Sequence, residues 1–337
     1  MNDRYSRQIL FKPIGIDGQS EISNKHVLIV GAGALGASNA EVLVRAGIGK
    51  LTIIDRDYVE WSNLQRQLLY TEEDATNQLP KAIAARNRLN EINSSVEIEA
   101  HVMDATVQSL LPLLQDVDLL LDSTDNFDTR FIINDLAQQV GMPWIYGSCV
   151  GSSGMSYTII PGKTPCFRCL VENMPLQGAT CDTAGIIFPT VQMVSTYQTT
   201  EALKILVNDN KSLRTELVTF DLWQNQYYTM NVERAKKQDC PSCGTDPTAP
   251  FLQREKRMKS TVLCGRNTVQ LRSATNQLNL EELEKSLINI GTVKRNPYLL
   301  SVELKDFRLV FFKDGRTLVH GTNDIKKAKT IYYQLLG

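Results

Sequence analysis

His26-Val27-Leu28-Ile29-Val30 leads straight into Gly31-Ala32-Gly33-Ala34-Leu35-Gly36, and an amphipathic stretch then runs to about Ala46. Gly47 and Gly49 punctuate its end, and Leu51-Thr52-Ile53-Ile54-Asp55 follows at once. Apolar run, glycine turn, helix and second apolar run compose one β-α-β unit, and a crossover of that kind joins parallel strands. The residues ahead of it read as a polar arm.

Downstream the alternation continues. Lys81 to Asn93 and Thr129 to Val140 read as helices, and Val96 to His101, Val117 to Asp122 and Pro143 to Tyr146 as strands. Short apolar runs suit strands covered on both faces. The pattern predicts an α/β fold with a Rossmann-like, doubly wound sheet. Gly147 to Thr190, rich in Gly, Pro, Cys and Thr, reads as turns and a long surface crossover. A helix over Val191 to Val207 and a strand over Leu217 to Phe220 restore the pattern.

The run from Lys236 to Pro247 reads as a metal knuckle followed by a linker. After it, residues 249–337 are expected to form a small α+β domain. Its strands fall near Val269 to Arg272, Tyr298 to Leu304, Phe307 to Lys313 and Thr317 to His320. Its helices fit Leu280 to Ile288 and Asp324 to Leu336, and Lys313-Asp314-Gly315-Arg316 is a hairpin-turn signal.

Composition narrows the class. A chain of 337 residues suits two domains, by a prior of roughly 150 residues each. Lys plus Arg (36) nearly balances Asp plus Glu (37), which argues against a polyanion binder, so no nucleic-acid partner is expected. With 42% hydrophobic residues the chain can bury a sizeable core. No apolar run reaches the roughly 18–20 residues that cross a bilayer. The start, MNDRYSRQILFKPIG, lacks the apolar region of a signal peptide. The expectation is a cytoplasmic protein without a membrane partner.

In Gly31-x-Gly33-x-x-Gly36 the glycines permit a tight turn and close backbone approach, and the helix N-terminus presents free N–H groups to a phosphate. Asp55 ends the next strand, nineteen residues after Gly36, where a carboxylate accepts ribose hydroxyls. The bland alternative is that the glycines serve helix–strand packing alone. Motif and context leave a nicotinamide cofactor and ATP both open, and no G-x-x-x-x-G-K-[ST] loop is present. Residues beyond Asp55 favour ATP. Asp55 to Gln67 is crowded with phosphate-binding side chains, Lys81 opens the next helix, and Asp125 and Asn126 follow a buried strand. A nucleotidyl transferase needs cations where charge develops on leaving pyrophosphate, and a dehydrogenase does not. Asp125 has the oxygen ligands Mg²⁺ prefers. Taken singly, Asp125 and Asn126 would be ordinary helix caps.

Arg4-Tyr5-Ser6-Arg7-Gln8, the glycine loop, Ser62-Asn63-Leu64-Gln65-Arg66-Gln67, Pro80-Lys81, Ser123-Thr124-Asp125-Asn126 and the cysteine pairs together resemble the MoeB/ThiF/HesA family, bacterial relatives of ubiquitin-activating enzymes. The resemblance spans about residues 3 to 245 and implies that residues 1–248 form an ATP-binding adenylyltransferase domain. Such enzymes adenylate the C-terminal glycine of a ubiquitin-like protein. Gly31, Gly33, Ala34, Asp55, Ser62, Asn63, Leu64, Gln65, Arg66, Lys81, Asp125 and Asn126 would then line the ATP site. Arg66 and Lys81 would meet the phosphates, Asp125 the Mg²⁺, and Arg7 would reach into the neighbour's site of a homodimer. Ala34 stands where the family often has Gly, and Asn77-Gln78-Leu79-Pro80-Lys81 lacks the glycine often found ahead of the lysine.

Seven cysteines without a secretion signal argue against a disulfide scaffold. Cys166-x-x-Cys169 and Cys240-x-x-Cys243, 70 residues apart, can complete one S₄ site, for which Zn²⁺ is the favoured metal. Such a closed shell is structural. The alternatives are two unrelated reduced pairs, or a redox pair, disfavoured because neither pair is expected to open a helix after a thioredoxin-like strand. Cys181, in Ala179-Thr180-Cys181-Asp182-Thr183, matches the position that in some family members forms a thioester or persulfide-type link to the carrier. A buried structural cysteine is the equal alternative. Cys149 and Cys264 carry no motif and read as core.

The leading expectation is ATP-dependent adenylation of a ubiquitin-like sulfur carrier, with the molybdopterin-synthase small subunit favoured and the thiamine-pathway carrier next. An NAD-dependent oxidoreductase would leave Arg66, Lys81 and Asp125 unexplained. A scaffold without ATP chemistry would not need them.

Overall fold

Runs of Val, Ile and Leu with no polar alternation are stable only where both faces are covered, and three strands here satisfy that. In the computed structural model, β1 (His26–Val30), β2 (Lys50–Asp55) and β4 (Leu119–Asp122) are buried along nearly their whole length. The structure describes residues 3–172, 184–254, 260–263, 267–272 and 278–336. The chain divides into two compact units, Met1–Thr76 with Pro80–Glu255, and Asn77–Leu79 with Lys256–Gly337.

The first unit carries an eight-stranded sheet in the order β3-β2-β1-β4-β5-β6-β7-β8, with β3 Glu97–Val102, β5 Trp144–Val150, β6 Ser153–Ile159, β7 Glu216–Asp221 and β8 Gln226–Asn231. Pairings from β3 through β5 are parallel, and those from β5 to β8 are antiparallel. The sheet is therefore doubly wound over its first part and a meander over its second.

Helices cover both faces, as parallel strands require. Leu28, Val30 and Leu120 share a core with Ile133 and Leu136 of the helix Phe127–Val140 and with Trp144 and Phe167. On the opposite face Leu35 of the helix Ala34–Ala46 packs with Val191 and Val194 of the helix Phe188–Leu206. Gly47 ends the first of these helices in the left-handed conformation (φ 81°), the usual glycine stop.

Three departures from the expected pattern have physical causes. The polar arm contains two helices, Ser6–Ile9 and Gly15–Ser23. Ile22 is buried, and Gln8 and Gln19 both donate to the Ala46 carbonyl (2.9 and 3.0 Å), so a few side chains dock a mostly polar segment. The expected surface crossover contains β6, whose small residues hide its strand pattern. A Cβ on Gly154 would come within 2.5 Å of Val194 and Phe220, so the missing side chain is what lets the core close. β8 is exposed at all six residues and shows no apolar alternation to read.

The second unit is a six-stranded antiparallel sheet in the order β11-β12-β13-β14-β10-β9. These strands are β9 Ser260–Leu263, β10 Thr268–Arg272, β11 Thr292–Arg295, β12 Leu299–Glu303, β13 Arg308–Phe312 and β14 Arg316–His320. Alternate residues Leu300, Val302, Leu309, Phe311 and Val319 bury against Leu280 and Leu287 of one helix (Leu280–Leu287) and Ala328 of another (Ile325–Leu336). Gly315, at φ 82°, makes the expected turn between β13 and β14. Among the described residues no helix is long and apolar enough to cross a membrane.

Candidate functional site

In an open α/β sheet the ligand crevice lies at the carboxyl ends of the strands where the strand order reverses. Here that point is between β1 and β4, since the order runs β3-β2-β1 and then jumps. Val30 at the end of β1 pairs with Ile54 on one side and Asp122 on the other. The glycine loop, Asp55 and the 122–126 segment thus leave three adjacent strands side by side.

The loop is built by exclusion. Gly31 sits at φ 95°, and a Cβ there would lie 2.6 Å from the Ser123 carbonyl oxygen. A Cβ on Gly36 would collide with the Gly31 carbonyl oxygen. Gly33, which caps the helix Ala34–Ala46, faces open space, so a ligand can approach its backbone and the free N–H groups behind it. Ala34 is the first helical residue.

Asp55 holds this corner together. Its carboxylate accepts from Ala32 N and from Asp57 N, both at 2.6 Å. Burial pushes the Asp55 carboxyl above its ordinary range, and the nearby Lys81 charge partly offsets this. Lys81 itself is 3% exposed. Its backbone N–H donates to the Asp57 carbonyl (2.9 Å), and its Nζ lies 3.6 Å from Asp57 Oδ2. The Lys81 ammonium is thus buried beside the Asp57 carboxylate.

The segment after β2 folds back over the loop. Asn63 and Glu60 form a reciprocal capping box at the turn Trp61–Asn63, and Tyr70 OH donates to the Ala32 carbonyl at 2.5 Å. Burial raises the Tyr70 phenol well above its usual range, so it remains a donor. Ser62 and Gln65 are exposed, Leu64 and Arg66 are half-buried, and the Arg66 guanidinium donates to the Ser62 carbonyl (2.7 Å).

At β4 the two polar residues divide their work. Asn126 caps the helix Phe127–Val140, its side chain accepting from Thr129 N at 2.9 Å, a contact worth about 1 kcal/mol. Asp125 is exposed and does not cap. Beneath them Asp122 is fully buried, accepting from Thr124 N (2.9 Å), Thr124 Oγ1 (2.7 Å) and Arg130 Nε (3.0 Å). Burial pushes the Asp122 carboxyl up, and the Arg130 charge opposes that rise. Arg130 also donates to the Thr124 (2.6 Å) and Gly147 (3.2 Å) carbonyls. Removing one partner of a buried pair costs about 3–5 kcal/mol, so this pair fixes the Thr124–Asp125 turn firmly.

Sequence reading did not single out Asp57, Tyr70, Arg130 or Gln198 for a role. Gln198, fully buried, donates to the Asp122 (2.8 Å) and Ile145 (3.1 Å) carbonyls from the helix on the other face. Gln198 shares the buried side of that helix with Ser195, Thr199 and Glu201, so its place in the sequence carries no distinct signal. Arg7 is exposed on the helix Ser6–Ile9. Cys181 and Cys264 lie outside the described residues.

Away from this crevice the four cysteines meet. The Sγ atoms of Cys166, Cys169, Cys240 and Cys243 lie within 4.8 Å of one another, with 3.8 Å between 166 and 169, 3.7 Å between 166 and 240 and 3.6 Å between 169 and 243. A tetrahedron with metal–sulfur bonds of about 2.3 Å has edges of about 3.8 Å, so these thiols fit a structural zinc ion. S–H donation from Cys166 holds Cys169 low, at about 2, while the same sharing pushes Cys166 up. Contrary to expectation, Cys166 does stand at the start of a helix, Phe167–Val171. The clustering of all four sulfurs nevertheless favours metal over redox chemistry.

The ThiF family matches residues 5–242, and the chain belongs to that family. It is an adenylyltransferase. Over the full length of both chains it is 50% identical to the sulfur carrier protein ThiS adenylyltransferase of Bacillus subtilis (strain 168). It is 36% identical to the sulfur carrier protein adenylyltransferase of Thermus thermophilus, covering 73% of this chain and 92% of that one. The crystal structure of E. coli MccB with MccA-N7isoASN matches with a TM-score of 0.65 at 21% identity, over 73% of this chain and 75% of that chain, a likeness of fold.

Proposed function

We propose that the chain uses ATP to adenylate the C-terminal glycine of a ubiquitin-like sulfur carrier, and that the carrier is of the ThiS type used in thiamine synthesis. The sequence by itself put the molybdopterin-synthase subunit first. The full-length relative at 50% identity, named for ThiS, supports reversing that order.

The reading rests above all on one juxtaposition: an open glycine loop, the Asp55 carboxylate and the buried Lys81 ammonium at one strand-end corner. Asp55 keeps lone pairs beyond the two N–H groups it accepts, and these take the ribose hydroxyls. The helix N-terminus at Gly33 and Ala34 faces the phosphates. Lys81 and Arg66 hold the β- and γ-phosphates, with Ser62 to Gln65 and Asn126 completing the wall. The carrier's terminal carboxylate, already ionised at neutral pH, attacks the α-phosphorus. A carboxylate–phosphorus bond forms, the bond to the bridging oxygen breaks, and pyrophosphate leaves with that electron pair. No general base is needed, so catalysis is positioning and charge stabilisation. Mg²⁺ arriving with ATP would take the exposed Asp125 carboxylate and neutralise charge on the leaving group. Arg7 of a second copy would complete each site in a homodimer. Zinc at the four cysteines would supply no chemistry beyond fastening the chain.

Pyrophosphate exchange into ATP, run with each candidate carrier, tests the reading. Exchange dependent on a ThiS-type carrier is expected. Exchange with the molybdopterin-synthase subunit alone would overturn the carrier assignment, and thermal stabilisation by NAD without any by ATP would overturn the chemistry.

A further inference from the structure

The peptide that joins Ala32 to Gly33 is held on one side and open on the other. Its carbonyl, on Ala32, accepts from the Tyr70 hydroxyl at 2.5 Å, and both residues are buried. Its N–H, on Gly33, has no protein acceptor among the described residues. A Cβ built at Gly33 would meet nothing within 4 Å. The peptide is trans, and in a planar trans peptide the C=O and the following N–H point in opposite directions. Binding the Ala32 carbonyl to Tyr70 therefore turns the Gly33 N–H away from Tyr70. Gly33 also caps the helix Ala34–Ala46, its carbonyl accepting from Ala37 N at 2.9 Å. Its N–H is thus the group left over, at a helix end where an anion is favoured.

Asp55 cannot do this work. It accepts from Ala32 N at 2.6 Å, but that N–H belongs to the preceding peptide, between Gly31 and Ala32. Rotation of the Ala32–Gly33 plane changes the φ of Gly33, and glycine accepts φ of either sign. Without the phenol the plane could turn over and present a carbonyl where the N–H now stands. The phenol itself is firmly carried. Tyr70 N donates to the Gln67 carbonyl (3.2 Å), Gln67 N donates to the Asn63 carbonyl (3.0 Å), and Asn63 closes the capping box with Glu60. Tyr70 therefore stands on the same folded segment as Ser62 and Arg66. Burial keeps its hydroxyl protonated, as a donor to a carbonyl must be.

We propose that Tyr70 is a positioning residue for phosphate: by holding the Ala32 carbonyl, its hydroxyl presents the Gly33 N–H to the phosphate chain of ATP. This inference rests on the reading of the crevice as an ATP site.

The test uses the full chain and two ligands, Mg·ATP and adenosine, which lacks phosphate. Tyr70→Phe removes one oxygen and keeps the ring. By calorimetry it is expected to bind Mg·ATP about tenfold more weakly, the scale of one hydrogen bond to a charged group, with adenosine within about twofold of the unaltered protein. The unaltered protein supplies a second measurement. In ¹⁵N-glycine-labelled chain the Gly33 amide, assigned by its loss in Gly33→Ala, should move downfield with Mg·ATP and stay in place with adenosine. In Tyr70→Phe that movement should be lost or reversed. Unchanged Mg·ATP affinity in Tyr70→Phe overturns the positioning role, and so does an equal loss for ATP and adenosine, which marks general damage. If Tyr70→Phe does not fold, the amide of the unaltered protein decides: a Gly33 resonance that ignores bound Mg·ATP overturns the role. An unaltered protein that binds Mg·ATP no more tightly than adenosine removes the phosphate reading, and this inference with it.

Discussion

The parallel and antiparallel parts of the large sheet handle polar groups in opposite ways. β2, β1 and β4 are buried along most of their length and end at Asp55, at the glycine loop, whose Gly33 faces open space, and at the turn that carries the exposed Asp125. β6, β7 and β8 finish in an edge strand exposed at every residue, and their neighbourhood is closed by thiols. Cys166 and Cys169 follow β6, while Cys240 and Cys243 follow β8, so the cluster ties two otherwise separate returns of the chain. A partly open set of charges invites a ligand. A shell of four sulfurs admits one ion and nothing else. On the proposed function, residues that act on substrate belong to the first region and residues that act on stability to the second.

Removing one thiol should break this contrast most visibly. Cys240→Ser is expected to lose the metal and to lower the melting temperature by about 10 °C or more, because metal binding there is folding energy. Elemental analysis and calorimetry check this. Freshly reduced protein that carries no zinc would remove the structural role from the antiparallel region.

Asp125→Ala probes the other region, where the expected loss is catalytic. The side chain is exposed and does not cap the helix, so melting should move little. Pyrophosphate exchange should fall about a hundredfold, the scale of about 3 kcal/mol for a lost electrostatic stabiliser. Full activity in this variant would take Asp125 out of the mechanism.

The smallest signal sharpens where the substrate region ends. Arg7→Ala and Asp125→Ala chains, each inactive alone, are mixed and allowed to reassort. If two copies share their sites reciprocally, about a quarter of the activity returns, since about half the dimers are mixed and one of their two sites is intact. Verified mixed dimers with no recovery would place Arg7 in its own chain's site or outside the chemistry.

Much of this was legible along the chain. The strand His26–Val30, the loop and the helix to Ala46 were bounded correctly because apolar periodicity and glycine punctuation are local signals. The cysteine pairs were legible because knuckle spacing is itself local. β6 and β8 were not, because one strand is disguised by small residues that fit a neighbour's side chains and the other faces solvent throughout. Arg130 and Gln198 were not, because their value lies in carbonyls they reach from elsewhere in the sequence.

Residue types and spacings can be read along the chain: a glycine loop, an acidic strand end, a lysine opening a helix, and four thiols in pairs. Which of two neighbouring polar residues caps the helix, Asn126 rather than Asp125, emerges only in the folded chain. Folding also buries Lys81 beside Asp57. Periodicity and turn chemistry act over a few residues. Burial, ion pairing and carbonyl satisfaction depend on which distant segments fold into contact.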